Sequence, residues 1–326
     1  MQAIRFHRHG GPEVLQLEEV ERPVPGAGEL LLQVEGAGVN YADTVRRWGD
    51  HYPVPTPLPA ISGAEVVGLV VTAGPGASPA LVGQRMVAAP SSGGYAEFAC
   101  VPEASAFALP PGLPAPQALA LFIQGLSAAF ILGQAGRLAA GESVFIEGAS
   151  GGVGSLAVQL ARLYGAQTVI GAAGTADKRA RVVALGADAA IDYGRPGWSG
   201  EVRRLSGGRG VDVVMEMTGG EVFRDAMQCL APAGRVVVYG IASRQPYQIP
   251  SERLISNGWV VAGFYLGQYL RNRPLVEQTL AQLARFVAEG RLRAEVEALP
   301  LSQAALAHQR LESRQSSAKI VLVPGR

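Results

Sequence analysis

The chain has few of the residues that build disulfide frameworks, metal-binding lobes or strongly charged surfaces. Its 326 residues include only two cysteines, Cys100 and Cys229, which excludes a disulfide framework and a four-cysteine zinc lobe. Charged residues make up 17% of the chain, the net charge is +1, and no basic run exceeds two residues. This composition offers no electrostatic footprint for nucleic acid or an anionic membrane, so we expect a small-molecule partner.

Targeting segments and long uninterrupted apolar runs are also scarce. The first residues, MQAIRFHRHGG, lack the apolar core of a signal peptide, so we expect a cytoplasmic protein. The one membrane-like stretch, residues 117–136, carries Gln124, Gly125 and Ser127 near its middle. Polar groups are costly there in lipid, so this stretch predicts a buried helix.

The length and the 48% content of hydrophobic residues indicate two domains, each with its own core. In the first third, short apolar runs are separated by Gly and Pro turns, which predicts a β domain. From about residue 120, continuously apolar strands alternate with helix-period segments, the pattern of a doubly wound parallel sheet. The final strand, AKIVLVP, indicates that the chain returns to the first domain, which gives domains of residues 1–122 with 264–326, and 123–263.

The stretch IEGASGGVGSLAVQLARLYGA (146–166) runs from a strand through a cluster of glycines into an amphipathic helix. Gly151 and Gly154 have the spacing of the last two glycines of G-x-G-x-x-G, which places a pyrophosphate at the helix N-terminus. The same stretch also reads G-x-S-x-G, the elbow that presents a nucleophile such as Ser150. A hydrolase needs a later histidine, and the only one, His308, lies in an ordinary amphipathic segment, so we favour a dinucleotide.

The second strand of this domain indicates which dinucleotide is bound. An NAD site usually offers Asp or Glu there for the ribose hydroxyls, whereas TVIGAAGTADKRAR has small neutral residues in that place. The first charged residues are Asp177 and then Lys178, one of only two lysines in the chain, which can pair with a 2′-phosphate. We therefore predict NADPH as the cofactor.

The whole chain resembles the medium-chain dehydrogenase/reductase superfamily, and within it the zinc-independent, ζ-crystallin-like quinone oxidoreductases. The segments that carry the resemblance are GVNYAD (38–43), SGAEVVG (62–68), GGYAEF (93–98), QGLSA (124–128), the glycine cluster, GTADK (174–178) and ESR (312–314). The resemblance implies a GroES-like, β-rich catalytic domain joined to a Rossmann domain, with the site in the cleft between them. It also implies a homodimer joined near residues 259–264.

Zinc alcohol dehydrogenases of this superfamily have a Cys in the first segment and a His in the second, at the places of Asn40 and Ala64. Neither replacement binds Zn²⁺, so we predict no metal site. Without a Lewis acid, an unactivated alcohol loses the means of stabilising its developing alkoxide, whereas an electron-poor quinone or enone needs none.

The resemblance also implies the functional residues. The predicted catalytic residues are Asn40, Tyr41 and Tyr52, with Asn40 beside the nicotinamide. The predicted cofactor residues are Gly151, Gly152 and Val153 at the pyrophosphate, Gly174, Lys178, Tyr193 and Arg314 around the 2′-phosphate and adenosine, and Ser127, Gly240, Ile241, Phe264 and Leu266 at the nicotinamide half. Val45 stands where some relatives carry a further tyrosine, and Glu65 and Asp43 are expected to be structural.

We therefore predict an NADPH-dependent reductase that transfers hydride to a quinone or another α,β-unsaturated carbonyl compound. Two alternatives stay open. One is an enoyl-thioester reductase of the same superfamily, which needs a proton donor such as Tyr41. The other is a non-catalytic NADPH-binding protein, as the crystallin relationship allows.

Overall fold

The chain is divided into two units, one of which is made from both ends of the sequence. The computed structural model describes residues 1–49, 55–316 and 318–325. One unit comprises Met1–Ile123 with Leu270–Arg326, and the other comprises Gln124–Tyr269.

The first unit is built on antiparallel β-structure. Its strands are β1 (Gln2–Phe6), β2 (Gln16–Glu19), β3 (Glu29–Gly38), β4 (Ala60–Ile61), β5 (Val66–Ala73), β6 (Arg85–Ala88), β7 (Phe98–Pro102), β8 (Ala106–Ala108), β15 (Val296–Pro300) and β16 (Lys319–Val323). A seven-stranded sheet has the order β15-β16-β3-β5-β6-β8, with β7 also paired to β3, and a small sheet has the order β2-β1-β4. The last strand of the chain therefore completes a sheet that begins near its start.

The pairing of β16 with β3 brings two distant parts of the sequence together. The strands are antiparallel, with Val321 opposite Gly38, so Lys319 at the start of β16 faces the residue that follows β3 by two positions. The bond from the Val39 N–H to the Ile320 carbonyl, 2.9 Å long, continues the ladder in that direction. Asn40 and Lys319 consequently lie side by side.

The second unit contains a six-stranded, entirely parallel sheet. Its strands are β9 (Ser143–Ile146), β10 (Thr168–Ala172), β11 (Ala189–Ile191), β12 (Val211–Glu216), β13 (Leu230–Val238) and β14 (Val260–Gly263). Their order is β11-β10-β9-β12-β13-β14, so the first strand of the unit is central and the chain winds outward on both sides. This is the Rossmann order, in which ligands bind where the winding reverses, at the carboxyl ends of β9 and β12. The predicted fold class is confirmed.

The helices follow the apolar periodicity of the sequence. They are α1 (Tyr41–Trp48), α2 (Ala115–Ala135), α3 (Gly152–Leu163), α4 (Ala176–Ala184), α5 (Trp198–Leu205), α6 (Gly220–Met227), α7 (Ser251–Asn257), α8 (Leu266–Tyr269), α9 (Arg273–Ala288) and α10 (Ala304–Glu312). Within the described chain, α2 alone is long and apolar enough to cross a membrane, and 72% of its most apolar window is buried in the protein. This burial agrees with the predicted core helix.

Candidate active site

The glycine cluster forms a tight turn between β9 and α3. Gly148 has φ +56°, Gly151 lies just before the helix, and the Gly151 N–H donates to the Gly148 carbonyl at 2.9 Å. A Cβ on Gly154 would lie 2.3 Å from that carbonyl oxygen, so only glycine allows this close approach. The first turn of α3 leaves its N–H groups without intrahelical partners, which is the feature that binds a pyrophosphate.

The N-terminus of α3 also contacts a side chain that the sequence analysis did not assign. A Cβ on Gly152 would lie within 2.4 Å of the carboxamide atoms of Gln124, so this side chain rests directly on the glycine. Gln124 belongs to α2, which carries the predicted residue Ser127 one turn later, itself buried. The amide of Gln124 is therefore a further polar group at the phosphate-binding turn.

Two buried glutamates lie at the carboxyl ends of the central strands. Glu147 follows β9, and its Oε2 accepts from the Thr218 hydroxyl at 2.7 Å and from the Met217 N–H at 3.3 Å. Glu216 ends β12, and its Oε1 accepts from the N–H groups of Thr218, at 2.8 Å, and Gly219. The two carboxyl groups therefore hold the loop that follows β12 against the end of β9.

These glutamates are held in an apolar environment. Both are fully buried, and in the described part of the chain one oxygen of each, together with the Tyr239 hydroxyl, lacks a hydrogen-bond partner. Burial, assisted by the charge of Glu216, raises the pKa of Glu147 to about 8, and burial also raises the pKa of Glu216. A protonated carboxyl at this position is thus favoured near neutral pH.

The loops after β12 and β13 run side by side. The Ala242 N–H donates to the Met217 carbonyl at 2.9 Å, and a Cβ on Gly240 would lie 2.9 Å from that same oxygen. Ile241 is 51% exposed. The structure therefore connects the predicted residues Gly240 and Ile241 to the glycine turn through the loop that Glu147 holds.

The carboxyl end of β10 is open. Gly174 would accept a Cβ without any contact, and the hydroxyl of Thr175 caps α4 by accepting from the Lys178 N–H at 3.3 Å. Asp192 forms an ion pair with Arg179 at 3.2 Å. Tyr193 packs against the apolar cluster of this unit. Gly174, Lys178 and Tyr193 thus lie in the segments that follow β10 and β11, and their role at the adenosine half of the cofactor stays a prediction.

The other predicted residues lie at the ends of strands and helices or in the turns between them. The ring of Phe264, which follows β14, lies 5.1 Å from that of Tyr269, and Leu266 begins α8. Arg314 is exposed in the turn after α10, and Tyr41, the first residue of α1, is 43% exposed. The predicted catalytic residue Tyr52 lies outside the described residues.

Asn40 is the N-cap of α1, and a network of hydrogen-bonded polar groups begins beside it. The carboxylate of Asp43 accepts from the Asn40 N–H at 2.9 Å and from the Tyr95 hydroxyl at 3.0 Å, which fixes the first turn. Burial raises the pKa of Asp43 to about 6, despite these two donors. The Asp43 carboxylate thus already accepts two hydrogen bonds at the start of α1.

His308 extends the hydrogen-bond network of Asn40, Asp43 and Tyr95. Its Nδ1 lies 3.1 Å from the Arg47 guanidinium and its Nε2 lies 3.2 Å from the Tyr95 hydroxyl. Because Arg47 can only donate, Nδ1 accepts and the proton is on Nε2. Burial and the Arg47 charge lower the pKa of His308 to about 3. Both ring nitrogens are engaged, so the hydrolase alternative loses its only candidate base.

Asn40 also joins a buried ion pair. Lys319 Nζ donates to Asn40 Oδ1 at 2.8 Å and to Glu65 Oε2, while Asn40 Nδ2 donates to Glu65 Oε2 at 2.9 Å. Glu65 Oε1 accepts from the Ile123 N–H at 3.0 Å. Glu65 is completely buried and Lys319 is 1% exposed. Glu65 is therefore satisfied by a lysine and two N–H donors.

The residue types at this position do not form a metal site. Ala64 has no ligating atom, and its neighbour Glu65 is already paired with Lys319. Across residues 1–49, 55–316 and 318–325, no three His, Cys, Asp or Glu side chains come together as metal ligands.

Comparisons with known proteins relate both units to one superfamily. Residues 26–111 match the alcohol dehydrogenase GroES-like domain, and residues 152–289 match the zinc-binding dehydrogenase family. Quinone oxidoreductase from Sus scrofa is 34% identical over 327 residues. The match covers 99% of this chain and 98% of the Sus scrofa protein. The chain belongs to the quinone oxidoreductases of the medium-chain dehydrogenase/reductase superfamily.

Other members of the superfamily extend this relationship. The 2-haloacrylate reductase of a Burkholderia species is 32% identical over 330 residues, covering 98% of each chain. The crystal structure of Escherichia coli quinone oxidoreductase complexed with NADPH superimposes with a TM-score of 0.92 at 30% identity, covering 99% of this chain and 100% of that one. The predicted family, an oxidoreductase activity and NADPH as the cofactor are confirmed.

The glycine turn and the open edge at β10 fit this cofactor. Gly154 allows α3 to start directly against the Gly148 carbonyl, which keeps the turn tight before the free N–H groups of the helix, and a Cβ on Gly174 would contact nothing within 4 Å. Sequence analysis missed the roles of Gln124, Glu147, Glu216 and Lys319. A lysine as rare as Lys319 was a usable signal, whereas the two glutamates look like ordinary strand ends in the sequence.

Proposed function

We propose that the protein is an NADPH-dependent reductase of quinones or other α,β-unsaturated carbonyl compounds that works without zinc. The observation that carries this proposal is the Glu65–Lys319 ion pair beside Ala64. Where zinc relatives have ligands, this chain has the amide of Asn40 and the methyl group of Ala64. The carboxylate beside them, that of Glu65, is neutralised by the buried ammonium of Lys319. That environment favours acceptors that are already electron-poor, because no Lewis acid is needed to activate them.

In this proposal the second unit holds the cofactor. Gly151, Gly152 and Val153 bind the pyrophosphate through their N–H groups at the start of α3. Gly174, Lys178 and Tyr193 surround the 2′-phosphate and adenosine, and Lys178 supplies the cation that selects the phosphate. The predicted contact from Arg314, which belongs to the first unit, stays a prediction. The nicotinamide half is held by Ser127, Gly240, Ile241, Phe264 and Leu266. NADPH, when bound, supplies the hydride.

The first unit then acts on the acceptor. Asn40 orients the reacting groups, and Tyr41, with an exposed ring at the start of α1, offers a hydroxyl to the acceptor carbonyl. Tyr52 is the second proposed hydroxyl donor. Orientation and exclusion of water are the main contributions of the protein, because the reducing chemistry belongs to the cofactor.

An acceptor screen tests this proposal. The purified protein is mixed with NADPH and, in turn, with 1,4-benzoquinone, an α,β-unsaturated ketone, 2-chloroacrylate and crotonyl-CoA, and the loss of NADPH absorbance is followed. We expect turnover with the quinone or the ketone, unchanged after treatment with a zinc chelator. 2-Chloroacrylate is included because the Burkholderia relative is named a 2-haloacrylate reductase.

The other outcomes separate the alternatives. Fast reduction of crotonyl-CoA with none of the quinone identifies an enoyl-thioester reductase. Tight NADPH binding without oxidation by any acceptor identifies a non-catalytic NADPH-binding protein. Loss of turnover on chelation, restored by Zn²⁺, contradicts the zinc-independent mechanism.

We also propose a homodimer that forms along the edge strand β14. This strand ends the parallel sheet, and it exposes Val260 by 51% and Val261 by 39%. Ile255, on the adjacent α7, is 84% exposed. An apolar sheet edge is a template for pairing with a second copy.

The free thiols of Cys100 and Cys229 favour a reducing compartment such as the cytoplasm.

A further inference from the structure

The side-chain amide of Asn40 is placed between two groups of opposite hydrogen-bonding character. Its Oδ1 lies 2.8 Å from Lys319 Nζ, and its Nδ2 lies 2.9 Å from Glu65 Oε2. An ammonium can only donate and an ionised carboxylate can only accept. The orientation of the amide is therefore determined by chemistry, since the reversed amide would place donor against donor and acceptor against acceptor.

The groups that orient Asn40 are themselves firmly held. Glu65 directly precedes β5 and Lys319 is the first residue of β16, and both strands belong to the same sheet. Glu65 and Lys319 are shielded from water, so their attraction to each other and to the amide is strong. The second contact of Nδ2, to the Gly38 carbonyl at 3.4 Å, also points into the protein.

We propose that Lys319 and Glu65 are positioning residues that make Asn40 a hydrogen-bond acceptor in the reaction. The inference rests on the proposed role of Asn40 in the reductase. Since both hydrogens of Nδ2 are directed at protein oxygens, the atom that Asn40 offers to a bound molecule is Oδ1, polarised by the ammonium. Asn40 thus binds an N–H or O–H group, and the donor to the acceptor carbonyl comes from a hydroxyl such as that of Tyr41.

A double substitution tests this role while keeping the buried charge balanced. Lys319→Met with Glu65→Gln removes the orienting charges together, and Asn40→Leu removes the amide at similar volume. We expect each variant to lower kcat about tenfold, the effect of losing one well-placed hydrogen bond. The triple variant should be no slower than Asn40→Leu alone, because Lys319 and Glu65 act through Asn40.

Two further variants separate positioning from general destabilisation. The matched control Arg85→Met with Glu35→Gln removes a surface ion pair of the same unit by the same kinds of substitution, and its kcat should equal that of the wild type. Lys319→Arg keeps the charge but replaces the compact ammonium by a larger planar group, so its kcat should lie between those of the wild type and the double variant. Unfolding temperature and NADPH affinity are measured for each protein.

A readout that needs no turnover comes from the amide itself. The chain has three asparagines, so labelling with ¹⁵N-asparagine gives an assignable set of side-chain signals in NMR. In the protein without cofactor we expect the Asn40 Nδ2 hydrogens to exchange slowly with water. They should exchange at least about tenfold faster when Lys319 and Glu65 are replaced.

Three results would overturn the positioning role. They are multiplicative losses of kcat in the triple variant, an unchanged kcat in the double variant, or Asn40 Nδ2 hydrogens that exchange equally fast in the wild type and the double variant. If the double variant does not fold, Lys319→Gln with Glu65→Gln is used, which removes both charges but leaves polar partners for the amide. Its kcat should also fall, and an unchanged kcat refutes the inference. If the wild type reduces no acceptor, the proposed function fails, and the exchange experiment still decides the orientation of the amide.

Discussion

The Glu147–Glu216 pair leads to a prediction about stability that can be worked out from the structure. Both carboxyl groups are fully buried at the ends of β9 and β12, and the donors they face, on Met217, Thr218 and Gly219, are all neutral. Burial and mutual repulsion raise the pKa of Glu147 from 4.5 to about 8. The folded protein thus keeps a proton that the unfolded chain has already released.

This difference in bound protons sets the direction in which the free energy of unfolding changes with pH. Between about pH 4.5 and about pH 8 the folded state binds more protons than the unfolded state, so the free energy of unfolding falls as pH rises. The slope is at most about 1 kcal/mol for each pH unit, and over the whole interval the loss amounts to a few kcal/mol. Below pH 4.5 the contribution of Glu147 is complete.

The test compares the wild type with Glu147→Gln. Glutamine keeps the size of the side chain and an oxygen for the Thr218 hydroxyl, but it cannot ionise. Urea unfolding without NADPH at a series of pH values should show the variant gaining stability relative to the wild type as pH rises. The contributions of Asp43 and His308, whose pKa values are about 6 and about 3, are common to both proteins.

The control variant replaces a glutamate at the surface of the same unit. Glu201→Gln removes an exposed carboxylate of α5, and its stability should run parallel to that of the wild type at every pH. If Glu147→Gln also runs parallel, Glu147 is ionised in the folded protein at neutral pH. Burial at the carboxyl ends of β9 and β12 would then not keep Glu147 protonated.

Three other predictions follow from the site and the sheet edge. Gly154→Ala should lower the unfolding temperature and the NADPH affinity together, because its Cβ would lie 2.3 Å from the Gly148 carbonyl oxygen. Calorimetry and titration measure the two effects, and normal values for both would contradict the tight turn. Lys178→Ala should weaken NADPH at least about tenfold while leaving NADH nearly unchanged, and equal losses would refute the assignment of the 2′-phosphate site. Val261→Lys should convert the proposed dimer to monomer in sedimentation, whereas Val24→Lys, at a site 86% exposed, should not.

Much of the second unit could be predicted from local sequence patterns. Strand and helix periodicity indicated the parallel sheet, and the glycine spacing indicated the turn before α3, because these features depend on residues close together in the chain. The small neutral residues directly at the end of β10 and the presence of Lys178 indicated the cofactor in the same way. The absence of a zinc ligand at Ala64 was visible too, once the resemblance identified the position.

The contacts that tune the site could not be predicted in this way. Lys319 reaches Asn40 across 279 positions of sequence, through the antiparallel register of β16 on β3. His308 reaches Tyr95 across 213 positions. Neither pairing has a periodic signature, since each depends on where distant strands and helices dock.

The sequence by itself therefore determined the class of fold, the glycine turn before α3 and the cofactor, since each depends on residues close together in the chain. Only the tertiary structure decided that Glu147 and Glu216 share a buried position and that Asn40 presents its oxygen. The physical reason is that burial and hydrogen-bond direction belong to the folded arrangement. The same asparagine without Lys319 and Glu65 beside it could offer either end of its amide.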